Sequence, residues 1–357
     1  MERNQAINSE RAAPQPNQPL DRRGKKGKRP GLLLTICTAI YCLILLSLTA
    51  ANVIGPERWW LGSANLYLPQ WIWALPWLVI LPWYLHRAQR WTWIPLALGL
   101  WVFGPIMGWS FGLARFAPRP EGVRLRVMTY NVKWGTRSAS AVIGNIRDAD
   151  PDIVLMQDSA GSVDNVLSRL KRPGWYVAQL TQYTVLSRFP ISDVTGKWML
   201  PGMRHACLRG IVKVGARKIT LFDVHLMTPR YALGTLRNSG AEGAEEVQQN
   251  AKLRLQEAAG LAEHLQPIQG PIIVAGDFNA PVQSLVCRTV MDRGLKDAHS
   301  ESGWGYGYSY GQSTRIRRPF VRIDHILVSP DIAIVSCREG GPRGSDHSPI
   351  IADLIVR

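Results

Sequence analysis

The sequence predicts a layered α/β domain built on two packed sheets, carried behind a membrane-embedded N-terminal segment. Three observations lead to this expectation. The first 115 residues contain three long uncharged apolar runs. Beyond Pro120, strand-like stretches outnumber helical ones and the two alternate, as they do where helices cover sheets. Several of those strands end abruptly in carboxylates, amides or histidines, which are costly to bury unless paired.

At 357 residues the chain can hold one large domain plus an accessory region, or two modest domains. Its formal charge is +16, unevenly spread. Residues 1–31 hold eight Lys/Arg against three acids, with the run Arg22, Arg23, Lys25, Lys26, Lys28 and Arg29. Residues 121–357 hold 29 Lys/Arg against 22 acids. That moderate excess suits an anionic substrate without demanding a nucleic acid, and equally suits a solvated surface. The five cysteines form no C-x-x-C pair, so neither a zinc site nor a disulfide framework is indicated, although a single disulfide stays open. No 20–50-residue repeat is present.

Residues 1–30 are rich in Pro, Gln, Asn and Lys/Arg, the composition of a disordered basic tail. The region 31–115 follows, with three expected transmembrane helices at about 31–55, 66–85 and 92–114. Each run approaches or exceeds the ~20 apolar residues that span a bilayer. The second and third carry Trp71, Trp73, Trp77, Trp83, Trp93, Trp101 and Trp109, a residue favoured at bilayer interfaces. Pro76, Pro82, Pro95 and Pro105 are kink sites. A cleaved signal peptide would have a shorter basic region before its apolar run and no further runs after it. The basic tail, the loop with Arg87 and Arg90, and the less basic loop 56–65 give a cytoplasmic N-terminus and an extracytoplasmic catalytic domain. Arg115, Arg119, Arg124 and Arg126 pull mildly the other way.

The domain at 121–357 opens with Val123–Tyr130, where Val123, Leu125 and Val127 alternate with Arg124 and Arg126 in the manner of a half-buried strand. Residues 138–149 have helical spacing, broken by Pro151. Further strands are expected at 153–156, 175–186, 210–214, 218–225, 271–276, 323–328 and 350–356. Ala244, Val247, Ala251, Leu255, Ala258 and Leu265 trace one face of a long amphipathic helix.

Six polar endings recur on these strands. They are Asn131 after MTY, Asp158 after IVLMQ, His225 in LFDVHL, Asp277 and Asn279 in GDFNAP, Asp324 in RIDHILV, and Asp346 with His347 in GSDHSP. Each alone has a plain structural explanation: a turn former, a helix cap, or a satisfied buried histidine. As an ordered set they are coherent chemistry. Mg²⁺ takes oxygen ligands, only one or two of them protein carboxylates. Phosphoester hydrolysis also needs a positioned water and charge stabilisation on the phosphate oxygens. No Gly-x-Ser-x-Gly, P-loop or partnered cysteine nucleophile competes.

With these residues in view, the chain resembles the endonuclease/exonuclease/phosphatase superfamily, which includes deoxyribonuclease I, abasic-site endonucleases, inositol polyphosphate 5-phosphatases and neutral sphingomyelinases. The motifs TYNV (129–132), QD (157–158), VHL (224–226), GDFN (276–279), RID (322–324) and SDH (345–347) stand in family order. The resemblance implies an α+β, four-layer αββα sandwich of the deoxyribonuclease I type, here preceded by the three membrane helices. It implies a hydrolase of phosphoester bonds that uses Mg²⁺, with Mn²⁺ as the alternative ion. Metal ligands carried over are Asn131, Asp158 and Asp346. Asp277 corresponds to the residue that orients or deprotonates the attacking water, and Asn279 to one that holds a phosphate oxygen. His347 corresponds to the histidine on the scissile phosphate, Asp324 to the carboxylate paired with it, and His225 to a histidine of the nuclease, sphingomyelinase and inositol-phosphatase branches. The chain departs from the family at Asp158, where glutamate is usual. The shorter side chain puts direct metal contact in question.

Residues 303–322 read GWGYGYSYGQSTRIRRPFVR. Tyr310, Arg315, Arg317 and Arg318 are the expected substrate contacts, since aromatics stack on bases or sugars and arginines clamp phosphates. The alternative is a strand whose tyrosines pack one face, followed by a basic loop. The expected partners are a phosphoester substrate (nucleic acid, or a lipid, inositol or sugar-phosphate head group) and a lipid bilayer, with no protein partner indicated. A non-catalytic membrane receptor that keeps the fold is the competing class, disfavoured because Asp277, Asn279 and His347 are all present.

Overall fold

The computed structural model describes residues 29–357 apart from 136–137, 162–165, 167, 169–173, 201–205, 312–317 and 342–343. The tail at 1–28 and the expected contacts Arg315 and Arg317 therefore lie outside the described residues.

The N-terminal module begins with helix α1 (Leu32–Ile54), 23 residues without a charge. It is the one described helix long and apolar enough to cross a membrane. The expectation of three membrane helices is corrected here. Run 66–85 divides into a 3₁₀ turn at Gln70–Ala74 and α3 (Leu75–Arg87), which follows the short α2 (Trp60–Asn65). Thirteen residues at 1.5 Å rise give about 20 Å, short of a ~30 Å hydrocarbon core. Run 92–114 divides into α4 (Trp93–Trp101), a π-helical turn around Pro105, and a 3₁₀ turn at Leu113–Phe116 reached through left-handed Gly112. Pro76 sits in the first turn of α3 and Pro105 in the π-helical turn after α4, punctuation that apolar composition does not register, while α3 runs on through Pro82. Leu78, Val79, Leu96 and Leu100 nevertheless stay exposed, as do Leu33, Ile36, Ile40 and Leu43 on α1.

The second part is a two-sheet sandwich. Strands β1 (Val123–Asn131), β2 (Ile153–Gln157), β3 (Tyr176–Leu180) and β4 (Tyr183–Ser187) join β11 (Ile332–Glu339) and β12 (Ile350–Val356) in the order β11-β12-β1-β2-β4-β3. The other sheet contains β5 (Ile191–Trp198), β6 (Ala206–Val214), β7 (Arg217–His225), β8 (Ile272–Asp277), β9 (Lys296–Asp297) and β10 (Asp324–Val328), ordered β5-β6-β7-β8-β10-β9. Among the described residues, β1–β2 and β7–β8 are the parallel pairs and the other pairs are antiparallel.

Period-two alternation sorts the core into layers. Leu125, Val127 and Leu155 of one sheet meet Leu208, Leu221, Ile273 and Ala275 of the other between the sheets. The alternate residues Met128, Tyr130, Val154 and Met156 face outward onto Val142, Ile143 and Ile146 of α5 (Ala139–Ala149). On the far side Phe222, Val224 and Val274 pack on α7 (Ala241–Leu265) and α8 (Leu285–Met291), through Ala258, Leu261, Val286 and Val290. This gives the expected helix–sheet–sheet–helix order. Ser138 caps α5 by accepting from the Ala141 N–H, a sequence-legible start.

The expected strand at 175–186 is instead the hairpin β3–β4, turned at Thr181, whose φ is 52°. The amphipathic helix α6 (Arg230–Ser239) and the exposed edge strand β5 are additional to the expected elements. All five cysteines are free.

Candidate active site

The polar strand endings collect at one mouth of the sandwich because register puts them there. Asn131 pairs with Gln157 across β1–β2, while His225 and Asp324 both stand opposite Asp277 on β7 and β10. Gly276 makes the approach feasible: a Cβ there would lie 1.9 Å from the Val224 carbonyl oxygen. The mouth opens into a cleft of about 680 Å³ lined by Asn131, Asp158, His225, Asp277, Asn279, Tyr310, Asp346 and His347. Asp324 lies beneath it, buried behind His347.

Asp277 is the hub. Its Oδ1 accepts the Asn279 N–H at 2.8 Å and its Oδ2 accepts from Asn131 Nδ2 at 3.0 Å. His225 Nε2 and His347 Nε2 stand 3.5 and 3.7 Å from the same Oδ2. Burial raises the Asp277 carboxyl above the ordinary carboxylate value, with His347 opposing that rise. His347 Nδ1 contacts both Asp324 oxygens, at 2.9 and 3.1 Å. Burial disfavours the His347 cation, but Asp324 and then Asp277 outweigh it, and its pKa is raised to about 9. Imidazolium is therefore the neutral-pH form, with Nδ1–H spent on Asp324 and Nε2–H directed toward Asp277 and the cleft.

Two groups of residues could hold a cation. Asp277, Asp324 and His347 bring one ligand atom each to within 4.8 Å of one another. The Asp324–His347 hydrogen bond already engages two of the three, which makes this group an acid–imidazole–acid chain first. The other group is Asn131, Asp158 and Asp346, all in the cleft wall and all hard oxygen donors. That donor chemistry fits Mg²⁺ or Mn²⁺ and not a soft metal. Lys133 Nζ is paired with Asp346 Oδ2. Burial alone would raise the Asp346 carboxyl, yet Lys133 and His347 hold it below the ordinary value. Asp158 sits just past β2 with φ 48°, its Oδ1 3.6 Å from His225 Nδ1.

Several contributors were not singled out from the sequence. Lys133 follows Asn131 in a left-handed turn (φ 46°) that swings its ammonium onto Asp346. Gln182 Oε1 lies 3.0 Å from His225 Nδ1 and fixes that ring. Thr228, Arg230, Tyr231 and Arg237, on or beside α6, also line the cleft. A basic amphipathic pattern, RYALGTLR, was the available signal. Conversely, Arg318 is exposed and does not line the cleft. Tyr310 does, with its ring 4.8 Å from that of His347. Trp304 and Tyr306 do not line the cleft and pack edge-on against Trp109 of the N-terminal module, and the segment forms isolated bridges at Gly305 and Tyr310 in place of the alternative strand.

The model of the Endonuclease/Exonuclease/phosphatase family matches residues 128–347 of the chain. No curated protein matches the sequence. Among solved structures the chain is similar to an endonuclease/exonuclease/phosphatase family protein from Bacteroides thetaiotaomicron, with 17% identity over 67% of this chain and 100% of that one and a TM-score of 0.51. The mannosyl-6-phosphatase of Bacteroides thetaiotaomicron VPI-5482 gives 17% identity over 65% and 99% with a TM-score of 0.51. Humanized D. rerio TDP2 gives 14% over 65% and 98%, again at 0.51. At these identities the neighbours establish the shared fold.

Proposed function

We propose that this chain, which belongs to the endonuclease/exonuclease/phosphatase family, is a membrane-tethered, metal-dependent phosphoesterase that attacks its substrate with water. The family is one of hydrolases acting on phosphoester bonds. The observation that carries the reading for this chain is the single carboxylate oxygen, Asp277 Oδ2, approached by Asn131, His225 and His347 at the floor of an open cleft.

In this reading Asp277 Oδ2 orients the attacking water and takes its proton, while the Asn279 N–H holds the other oxygen and keeps the carboxylate aimed. A base in that position typically contributes 10²–10⁴-fold. His347, charged through Asp324, donates Nε2–H to a non-bridging phosphate oxygen, where negative charge accumulates in the transition state. Asn279 and His225 complete the cradle, and Tyr310 flanks His347. Asn131, Asp158 and Asp346 would hold Mg²⁺ or Mn²⁺, which when bound neutralises phosphate charge. Lys133 already places one cation on Asp346. The new P–O bond forms from water as its proton passes to Asp277, the ester P–O bond breaks, and the leaving oxygen takes up a proton from solvent in the open cleft while Asp277 returns its own to solvent, so that protons balance over the turnover.

Helix α1 is the anchor, with the exposed apolar faces of α3 and α4 resting in the same bilayer without crossing it. One crossing keeps the basic tail cytoplasmic and the catalytic domain on the other side. A membrane-proximal head-group substrate is favoured over a nucleic acid by one feature: the cleft wall includes Tyr67 from the N-terminal module itself. The test is a panel of plasmid DNA, sphingomyelin, inositol phosphates and an aryl phosphodiester, each offered to the folded full chain with Mg²⁺ or Mn²⁺. Head-group phosphoester turnover exceeding that of DNA is expected. Absence of turnover on every substrate by folded protein would overturn the phosphoesterase reading.

A further inference from the structure

The contact between the N-terminal module and the catalytic domain reaches the active-site loop. Glu57, just after α1, is 1% exposed; its Oε2 accepts the Leu285 N–H at 2.9 Å, and its backbone carbonyl accepts from Gln248 Nε2. Arg288 Nη1 donates to the Val53 carbonyl at 2.8 Å, a cation at the C-terminal end of α1. Gly55 has φ 126°, and a Cβ there would meet Leu285 at 2.3 Å. These contacts seat the chain between α1 and α3 against α7 and α8. From that seat Tyr67 extends its hydroxyl to the Asn279 carbonyl, at 2.9 Å.

The same carbonyl accepts from Arg254 Nη2 at 2.7 Å, and the Arg254 guanidinium lies 5.6 Å above the Tyr67 ring. Burial pushes the Tyr67 phenol well up, so the hydroxyl remains a donor. Asn279 has φ 49°, a left-handed conformation that asparagine adopts more readily than other non-glycine residues and that its hydrogen bonds hold in place here. In that conformation its N–H reaches Asp277 Oδ1 and its Nδ2 reaches the Leu226 carbonyl. The order of dependence is short: Tyr67 and Arg254 fix the 279 carbonyl, that peptide holds the left-handed turn, and the turn aims Asp277.

We infer that Tyr67 is a positioning residue for the catalytic loop, so that the membrane module completes the active site and does more than anchor it. The inference rests on the phosphoesterase reading above and extends it to a residue 212 positions from its partner. Because Tyr67 acts through Asn279 on the aim of Asp277, its loss lowers kcat and leaves KM and the metal requirement in place. A carbonyl that keeps one of two donors loses about one ordinary hydrogen bond, so Tyr67→Phe is expected to lower kcat about 3- to 10-fold.

The experiment uses the full chain in detergent micelles. Steady-state kinetics of wild type and Tyr67→Phe are run on whichever phosphoester the wild type turns over, with thermal unfolding as the control for folding. Hydrogen–deuterium exchange over the segment 277–283 is followed in parallel, because it needs no activity. The expected result is a lower kcat with unchanged KM, and faster exchange in 277–283 at unchanged unfolding temperature. Unchanged kcat with unchanged exchange overturns the inference, as does a raised KM at unchanged kcat, which would make Tyr67 a substrate contact. An inactive wild type counts against the phosphoesterase reading alone, and exchange then decides the role of Tyr67. If Tyr67→Phe lowers the unfolding temperature, Glu57→Ala, which removes the acceptor of the Leu285 N–H, takes its place: faster exchange in 277–283 supports the inference and unchanged exchange overturns it.

Discussion

Substituting Asp324 by asparagine removes the carboxylate that His347 Nδ1 contacts at 2.9 and 3.1 Å, with little change in volume and with a carbonyl left to accept the same proton. Burial works against the His347 charge, and Asp324 is the largest influence opposing it. Without Asp324 the imidazole returns from about 9 toward its ordinary value of 6.5, held up only by Asp277 and Asp346. In the proposed mechanism the protonated form is the active one, so activity is expected to fall as pH rises through that pKa. At pH 7.5 the charged fraction falls from about 97% to about 9%, roughly a tenfold loss of kcat/KM. The loss shrinks to under about 1.5-fold at pH 6 and grows to about 75-fold at pH 8.5. The assay is initial rate against an aryl phosphodiester at saturating metal from pH 5.5 to 9.5. An alkaline limb that stays near pH 9 in Asp324→Asn, or a loss that is uniform across pH, refutes the charged-His347 argument.

Other substitutions separate the remaining roles. Asp277→Asn is expected to lower kcat by about 10²–10⁴-fold with little change in KM, since an oriented water matters to the transition state and not to binding; steady-state kinetics check it. Asp158→Ala should raise the metal concentration needed for half-activity, and Asp158→Glu should lower it by restoring the longer side chain usual in the family; a metal titration that leaves both unchanged removes Asp158 from the metal group. Asp297→Asn should cost about 3–5 kcal/mol of stability, because Asp297 accepts from Arg322 at 2.6 Å and pairs with His325 Nδ1 at 3.0 Å, all three buried. Denaturant unfolding measures that loss, and an unchanged midpoint contradicts it.

The catalytic half was legible because its signals are local. Period-two alternation at the start of β1 separates its two faces, β8 is legible as an unbroken apolar run, and a charged residue ending such a run marks the mouth. The pair Asp277–Asn279 lies within one turn, and Asp324 and His347 each stand at or just before the start of a strand, β10 in one sheet and β12 in the other. What was not legible depended on long-range packing or backbone detail. Apolar composition alone marked 66–85 and 92–114 as membrane helices, whereas the structure forms short pieces, with Pro76 and Pro95 in the first turns of α3 and α4 and Pro105 in the π-helical turn that follows α4. Trp304 and Tyr306 alternate as ligand-stacking residues do, but their partner is Trp109, nearly 200 positions away. Lys133 enters the site only through a left-handed turn, and Tyr67 only through a contact between the two halves of the chain.

The central claim is that a divalent cation and the Asp277–His347 cleft together hydrolyse a phosphoester. The most direct measurement is the rate of the folded full chain on an aryl phosphodiester before chelation, in excess EDTA, and after readdition of Mg²⁺ or Mn²⁺. The account predicts loss of turnover in EDTA and its return with either ion, at unchanged unfolding temperature. Full turnover in excess EDTA would contradict it.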